Sequence, residues 1–504
     1  MFIRKLKSKN GKTYIQVVDK SSGRYKVLKS FGSFESDSDK AILIDKAQKW
    51  INQYSGNQEF DFSNSNKPVQ KLIDSIIGLN RIGYDLLLGD IFNEIGFNKI
   101  GDEIFKQLVL CRIAYPRSKL KTTEYLNRYK QINWSEDQVY RYLDKLYSSQ
   151  KQLVQRLSYE HTLKILKNRI SVVFYDVTTL YFEIDQEDDL RKTGFSKEGK
   201  HQNPQIVLGL LVSKNAYPLA YDIFEGNKFE GHTMLPVIDA FKAKYNLQQL
   251  AIIADSGLLS KSNIKELQVK GYEFILGARI KNETDAIKKK ILALNLKNGE
   301  SAVIKKNDLR LIISFSEERA KKDRYNREKG LRRLEKRIKT GRLTKSSINN
   351  RGYNKFLKLE GEIIITIDKE KIEQAGKWDG LKGYLTNAKL DKDQIIENYR
   401  HLWMIEKAFR ISKTDLKIRP IYHRLQRRIE AHICISFTAY KVYKELERQL
   451  KIKKAGISPE RAIEIAESIF ELQIKMPQNG QIMSKILLLT EEQKYLASIF
   501  HFGC

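Results

Sequence analysis

The period of the hydrophobic positions changes several times along the chain. Residues 13–18 (TYIQVV) and 24–31 (RYKVLKSF) alternate in the manner of strands, and the polar run 19–23 (DKSSG) predicts the turn of an N-terminal β-hairpin. A polar stretch over 56–67 predicts a linker. From 68 to 165 the spacing becomes helical, as in 104–110 (IFKQLVL) and 138–147 (QVYRYLDKLY), and Ser135 with Gln138 predicts a capping box. Beyond 170 the pattern is of strands: 170–176 (ISVVFYD), 205–212 (QIVLGLLV) and 217–224 (YPLAYDIF). A helical stretch at 232–245, the strand 249–255 (QLAIIAD), a helix at 259–269 and the strand 272–278 (YEFILGA) follow. Residues 283–385 interrupt this order with a charge-dense segment at 317–345 and short strand candidates such as 362–367 (EIIITI). Helical spacing returns over 393–449, and the last fifty residues predict amphipathic helix and turn.

Three close strands, then helix, strand, helix and strand, is the order of a ribonuclease-H-like core. The predicted class is therefore α/β: such a core with a largely β insertion, preceded by an N-terminal β-hairpin and a helical domain. The expected divisions are 1–62 (hairpin and linker), 63–165 (helical), 166–282 (first half of the core), 283–385 (insertion), 386–450 (second half of the core) and 451–504 (C-terminal helical region).

Composition narrows the partners. Of 504 residues 41% are hydrophobic, enough for a core, and the net charge is +30, which calls for an anionic partner. Nucleic acid comes first and a membrane surface second. No run of eighteen apolar residues and no signal-peptide core are present, so a membrane span is not expected. Cys111, Cys434 and Cys504 lie far apart without disulfide or metal-binding spacing, which fits a reducing cytoplasm. Arg112, Arg117, Lys119 and Lys121 sit between predicted helices, where a DNA-binding domain and an ordinary solvated bundle are equally good readings of that segment.

Asp176 and Asp255 each close an apolar run. Residues just past strand ends converge on one site in α/β sheets, and clustered carboxylates suit magnesium, which takes oxygen ligands. Taken singly, each is more simply an aspartate ending a strand. The helical stretch 395–412 (IIENYRHLWMIEKAFRIS) adds a third carboxylate, Glu406. Tyr399 stands seven residues before it and Lys413 seven after, nearly two turns each way, so on one continuous helix the three share a face, with Arg410 more loosely beside them. The plain alternative is a helix carrying a salt-bridged glutamate.

These residues carry a resemblance. Segments 172–181 (VVFYDVTTLY), 194–197 (GFSK), 204–210 (PQIVLGL), 224–227 (FEGN), 231–233 (GHT), 254–257 (ADSG), 399–406 (YRHLWMIE) with Phe409, Arg410 and Lys413, and 419–424 (RPIYHR) resemble DDE insertion-sequence transposases of family four, subgroup sixteen thirty-four. The resemblance spans roughly 165–440.

It implies that Asp176, Asp255 and Glu406 are the catalytic triad and hold two Mg²⁺ ions, with Mn²⁺ able to substitute. The family signature of Tyr, Arg, Glu and Lys is met at Tyr399, Glu406 and Lys413, whereas the Arg position is Leu402, with Arg400 nearby. Tyr399, Arg400, Arg410 and Lys413 are the expected DNA contacts. Trp378 is expected to stack on a displaced base, or else to anchor a strand. His201 and His232 form no metal cluster in the sequence. The implied activity is metal-dependent cleavage of a transposon end followed by strand transfer. Double-stranded DNA, both terminal inverted repeats and target, is the implied partner. A homodimer would pair two ends within the bacterial cytoplasm at the nucleoid. The rivals are a ribonuclease-H-fold nuclease without strand transfer and a non-catalytic, domesticated DNA-binding relative.

Overall fold

The computed structural model describes residues 1–502 except 9–10, 35, 56–72, 169, 197–198, 248–249, 259, 342, 361–363 and 477–478. The expected linker at 56–67 and Cys504 lie outside the described residues. The chain forms two compact units, one of residues 1–78 with 472–485 and the other of 79–471 with 486–504.

In the first unit, strand β1 (Phe2–Lys7) pairs antiparallel with β2 (Thr13–Asp19), and β2 with β3 (Lys26–Phe34). The expected hairpin is thus the second and third strands of a three-stranded sheet. β1 escapes the sequence reading because its FIRKLK is exposed or half-buried throughout and carries little apolar signal. Ile15, Val17 and Ala47 pack the sheet against the helix Asp37–Tyr54.

The large sheet lies in the second unit. β4 (Ile76–Arg81) precedes it in the chain and is not one of its strands, which are β5 (Val172–Tyr181), β6 (Gln205–Ser213), β7 (Pro218–Glu225), β8 (Ala251–Ala254), β9 (Glu273–Ala278), β10 (Ser301–Lys306) and β11 (Leu309–Phe315). A separate pair, β12 (Leu357–Glu360) and β13 (Ile364–Ile367), precedes its last strand, β14 (Leu381–Thr386). The spatial order is β10-β11-β14-β9-β8-β5-β6-β7. β5 pairs parallel with β8 and β8 with β9, while β5–β6 and β6–β7 are antiparallel, consistent with the ribonuclease-H-like order expected.

β6 is buried along its whole length because both faces are covered. Residues of even number on β5 and β6, among them Phe174, Leu180, Ile206, Leu208 and Leu210, enter one core, and Val173, Tyr175, Val177, Val207 and Leu211 enter the other. This is the period of two expected of a strand.

Three expectations are corrected. First, the insertion is neither separate from the core sheet nor mainly strand. β10, β11 and β14 extend that sheet, their Ile312 and Tyr384 joining one core and Leu311, Ile313 and Leu385 the other. The longest insertion element is the 23-residue helix Glu317–Lys339, whose Leu334 packs with Phe356 and Leu357 in a satellite core. Second, the helices between 79 and 165 have no core of their own. The 27-residue helix Gln426–Ile452 is buried along most of its length and packs on helices Glu103–Ala114, Glu136–Lys145 and Lys151–Ile165, merging them with the sheet. Third, the C-terminal region is not all helix and turn: it holds β15 (Phe470–Lys475) and β16 (Ile482–Leu487), half-buried or exposed and so weakly patterned. The capping box at Ser135 and Gln138 forms as expected.

The long helix carries a buried ionic knot. Lys441, fully buried, donates to Ser158 O at 3.0 Å and to Thr162 Oγ1, and its ammonium lies 4.3 Å from the centre of the Tyr217 ring. Tyr217 Oη donates to Glu445 at 2.6 Å, and Arg448 closes the group. Burial and the neighbouring Lys441 lower the His161 pKa to about 4, and burial with Lys119 and Arg112 lowers that of His423 to about 3. His432 is shifted down for the same reasons. A folded histidine whose pKa lies below its unfolded 6.5 stays neutral where the unfolded chain takes up a proton. These groups therefore lend stability that is full above pH 6.5 and drains as pH falls toward about 4. The unfolding free energy should fall by up to about 1.4 kcal/mol per pH unit for each histidine in that window. Urea unfolding across the range checks this. A flat profile, or one unchanged in His161→Gln, contradicts it.

Candidate active site

The two aspartates meet through strand register. Val172 pairs with Ala251 and Tyr175 with Ala254 across the parallel β5–β8 ladder, so the next residues, Asp176 and Asp255, stand side by side. Neighbours in parallel strands point to the same face about 4.8 Å apart. Asp176 does not end its strand as expected. β5 runs on to Tyr181 because its antiparallel ladder with β6 continues, Asp176 facing Leu210, whereas β8 stops at Ala254. One strand thus leaves the other at the carboxylate pair. Asp176 also accepts a hydrogen bond from Val177 N at 2.8 Å.

The row continues across the sheet. Ala254 pairs with Leu276 and Tyr384 with Gly277, which places Gly277 next to Asp255 and Tyr384 beyond it, on the same face. Gly277 has no side chain for a reason. A Cβ there would stand 2.4 Å from Tyr399 Oη, and that hydroxyl donates to Asp255 Oδ1 at 3.1 Å. Tyr399 is buried on the helix Lys392–Arg400, edge-on to Tyr384 at 5.0 Å between ring centres. Burial and the Asp255 carboxylate push its phenol well above the ordinary value, so it remains a proton donor.

Glu406 occupies the next helix, Trp403–Thr414, whose Ala408 and Phe409 pack into the core on this face of the sheet. The continuous helix expected over 395–412 is broken. His401 N, Leu402 N, Met404 N and Ile405 N all bond to carbonyls three residues back, a 3₁₀ junction without Pro or Gly to announce it. Each 3₁₀ residue turns about 120° rather than 100°, so the heptad phase between Tyr399 and Glu406 is lost; that between Glu406 and Lys413, on one helix, survives. Glu406 is exposed, Arg400 and Arg410 are exposed, and Lys413 is half-buried. Among the described residues, no three carboxylate, histidine or cysteine side chains stand close enough to hold one ion. The in-register pair Asp176 and Asp255 offers oxygen donors only, the ligand type that magnesium takes. Glu406 acts electrostatically on Tyr399 and Lys382, the groups that Asp255 also acts on.

A cleft of about 570 Å³ opens beside Asp255 and is lined by Tyr399, Arg279, Lys281, Arg319 and Lys382. Three of these cations, Arg279, Lys281 and Lys382, escape the sequence reading, and Arg319 stands out there only as part of the charge-dense segment 317–345. Arg279 and Lys281 follow β9, Lys382 lies on β14 and Arg319 begins the helix Glu317–Lys339, so nothing in linear order joins them. Lys382 lies 4.5 Å from the Tyr399 ring centre, and burial lowers its pKa, Arg319 and Arg400 adding to the shift while Asp255 and Glu406 oppose it.

A second cleft of about 470 Å³ shares Lys281, Arg319 and Leu381 with the first and is lined by Trp378 and Tyr353. Trp378 is half-buried at its edge, beside an Arg327–Asp379 ion pair of 2.7 Å. His201 Nδ1 accepts from Ser196 N at 3.2 Å, and His232 lies in a 3₁₀ turn with Phe229 5.4 Å away. Cys111 and Cys434 are buried thiols whose pKa burial pushes up to about 12.

This architecture has known relatives. A family model described as "Transposase DDE domain" matches residues 167–441, more than half of the chain, and the chain belongs to that family. No curated protein matches it. Among solved structures, a piggyBac transposase synaptic complex with hairpin DNA is similar at 9% identity and a TM-score of 0.38, over 72% of this chain and 69% of that one. A Mos1 transposase paired-end complex with the left transposon end is similar at 11% identity and a TM-score of 0.16, over 46% and 66% of the two chains. Neither score is high enough to add to what the family shows. No described helix is long and apolar enough to cross a membrane.

The contact at Gly277 makes a double-mutant prediction. Gly277→Ala forces its new methyl against Tyr399 Oη and should cost about 1–3 kcal/mol, the range for overpacking a well-filled site. Removing the hydroxyl with Tyr399→Phe in the same chain should recover most of that loss, so the two changes are non-additive. Chemical denaturation of the three variants measures the coupling, and strict additivity rules the contact out.

Proposed function

We propose that this protein is an insertion-sequence transposase of family four, subgroup sixteen thirty-four, that cuts a DNA end and joins it to target DNA. The reading is carried by one observation: Asp176 and Asp255 stand in register at the point where β8 leaves β5, inside the segment that matches the transposase domain. Its core is read as ribonuclease-H-like, with the insertion built onto the sheet edge.

Asp176 and Asp255 would hold divalent magnesium, or manganese in its place, with Glu406 as the third carboxylate. The ions, when bound, would activate the attacking oxygen and stabilise the leaving one. Tyr399 fixes Asp255 through its hydroxyl and, staying protonated, adds no charge. Arg400, Arg410 and Lys413 present cations along the helices that cover this face and would position phosphates. Leu402, buried at the junction, makes no such contact. Trp378, in a cleft that shares Lys281, Arg319 and Leu381 with the Asp255 cleft, would stack on an unpaired base, an interaction of about 1–3 kcal/mol. Water would open the phosphodiester first, and the freed 3′-hydroxyl would then attack the target strand. Two copies would pair two ends, within the bacterial nucleoid.

Asp176→Ala, Asp255→Ala and Glu406→Ala should each abolish metal-dependent cleavage of a transposon end while sparing binding. Cleavage retained by any one of them removes that residue from the site, and binding without cleavage by the parent protein would mark a domesticated relative. Lys413→Ala should slow single-turnover cleavage and weaken end binding beside the exposed control Lys389→Ala; equal behaviour of the two ends the phosphate role of Lys413. Binding should also weaken steeply with salt, by about 0.9 in log affinity per log unit of salt for each phosphate neutralised.

A further inference from the structure

Two buried cations, Arg112 and Lys119, stand away from the carboxylates. A pocket of about 630 Å³ opens between the start of helix Lys119–Lys130 and the segment 417–423. Arg112 is 5% exposed and Lys119 is 4% exposed, and both line it. Buried cations are ordinarily paired with carboxylates. Among the described residues, Arg112 Nη1 reaches the carbonyl of Lys417 at 3.4 Å, and its Nε is buried with no hydrogen-bond partner. The Lys119 ammonium makes no hydrogen bond or ion pair among the described residues, and after burial the largest electrostatic influence on it is the like charge of Arg112, which together with burial lowers its pKa.

The acids nearby are already engaged. Glu136, the one carboxylate among the lining residues, accepts the Tyr140 hydroxyl at 2.6 Å, and Asp144 is held by Arg427 and Arg428. The histidines at the wall, His423 and His432, have ring centres 5.5 Å apart and supply no negative charge.

A helix begins at this pocket. Ser118 caps the twelve-residue helix Lys119–Lys130, its Oγ accepting from Lys121 N at 3.3 Å, so the first backbone N–H groups and the positive end of the dipole face the same space. Two desolvated cations and a helix N-terminus around an open volume have the chemistry of a seat for a phosphate.

The seat is tied to the carboxylate strand. Arg419, on its wall, lies 5.7 Å from the ring centre of Tyr181, the last residue of β5. Tyr181 is five residues beyond Asp176, roughly 17 Å along an extended strand. Tyr422, also lining the pocket, is 68% exposed and offers a flat ring at the rim.

We propose that this pocket seats a backbone phosphate of the DNA on which Asp176 and Asp255 act, gripped by Lys119, Arg112 and the opening turn of the helix. The proposal rests on DNA being the substrate, but not on the assignment of the three carboxylates. It gives the 419–424 motif and the basic residues of 112–121 one shared task, anchoring the duplex at a distance from the scissile bond.

The test uses the full-length chain and its variants Lys119→Met, Arg112→Met and Lys119→Arg. In the absence of ligand both methionine variants should melt at a higher temperature than the parent, because a desolvated and repelled cation has been removed. Inorganic phosphate should raise the parent's melting temperature above that in chloride of equal ionic strength, and should fail to do so in the methionine variants. On a duplex oligonucleotide, each methionine variant should bind about tenfold more weakly, with a salt slope shallower by about 0.9, and Lys119→Arg should restore both. If the parent binds duplex and the methionine variants bind it with the same affinity and slope, the seat is wrong while the DNA reading stands. If the parent binds no DNA, the proposed function falls as well, and this use of the pocket with it. Methionine variants that melt lower than the parent would make these cations structural and overturn the proposal.

Discussion

Everything at the candidate site depends on the parallel ladder between β5 and β8. It sets two aspartates side by side, and two adjacent carboxylates repel each other. The arrangement is tolerable because Asp255 is exposed, because Tyr399 donates to it, and because Lys382, Arg319 and Arg279 surround the cleft into which it opens. A one-residue slip would turn one aspartate to the opposite face. The slip is resisted by the burial of both faces, since the apolar residues of β5 and β6 alternate between the two cores.

The same constraint explains how the insertion relates to the site. β14 pairs with β9 in a register that puts Tyr384 opposite Gly277, and with it Lys382 two residues along on the same face. Joining the edge of the sheet is therefore what brings the insertion's cations to Asp255. The helix Glu317–Lys339 begins at this edge, where Ser316 N bonds to Gly380 O and Arg319 turns toward the cleft. A freely tethered insertion could not hold these groups in place.

Behind the sheet, the helix Gln426–Ile452 joins helices that precede the core in sequence to strands within it. Its buried Lys441 and Glu445 are costly to desolvate and valuable only in one geometry, with Ser158, Thr162 and Tyr217 all in place. The pocket at Arg112 and Lys119 is the opposite case. There, among the described residues, Arg112 and Lys119 are buried without a carboxylate bonded to either.

Much of this was legible in linear order. The alternation around Asp176 and Asp255, the core strands with the helices between them, and the capping box at Ser135 follow from side-chain period and local hydrogen bonding, which act over a few residues. The helical stretch bearing Glu406 was visible too, but the 3₁₀ junction at His401 and Leu402 was not, because it changes the winding without changing the residue types that helices favour. Register between β5 and β8 links residues almost eighty positions apart, and no short-range pattern encodes it. The cations at 279, 281, 319 and 382, the need for Gly277 beneath Tyr399, and the pairing of Arg112 and Lys119 with a helix start exist only once distant segments are packed together. Sequence by itself determined most of the strands and helices and the polar residues they bear; tertiary structure decided which of them meet, because proximity across a sheet or a helix bundle is set by packing and not by separation along the chain.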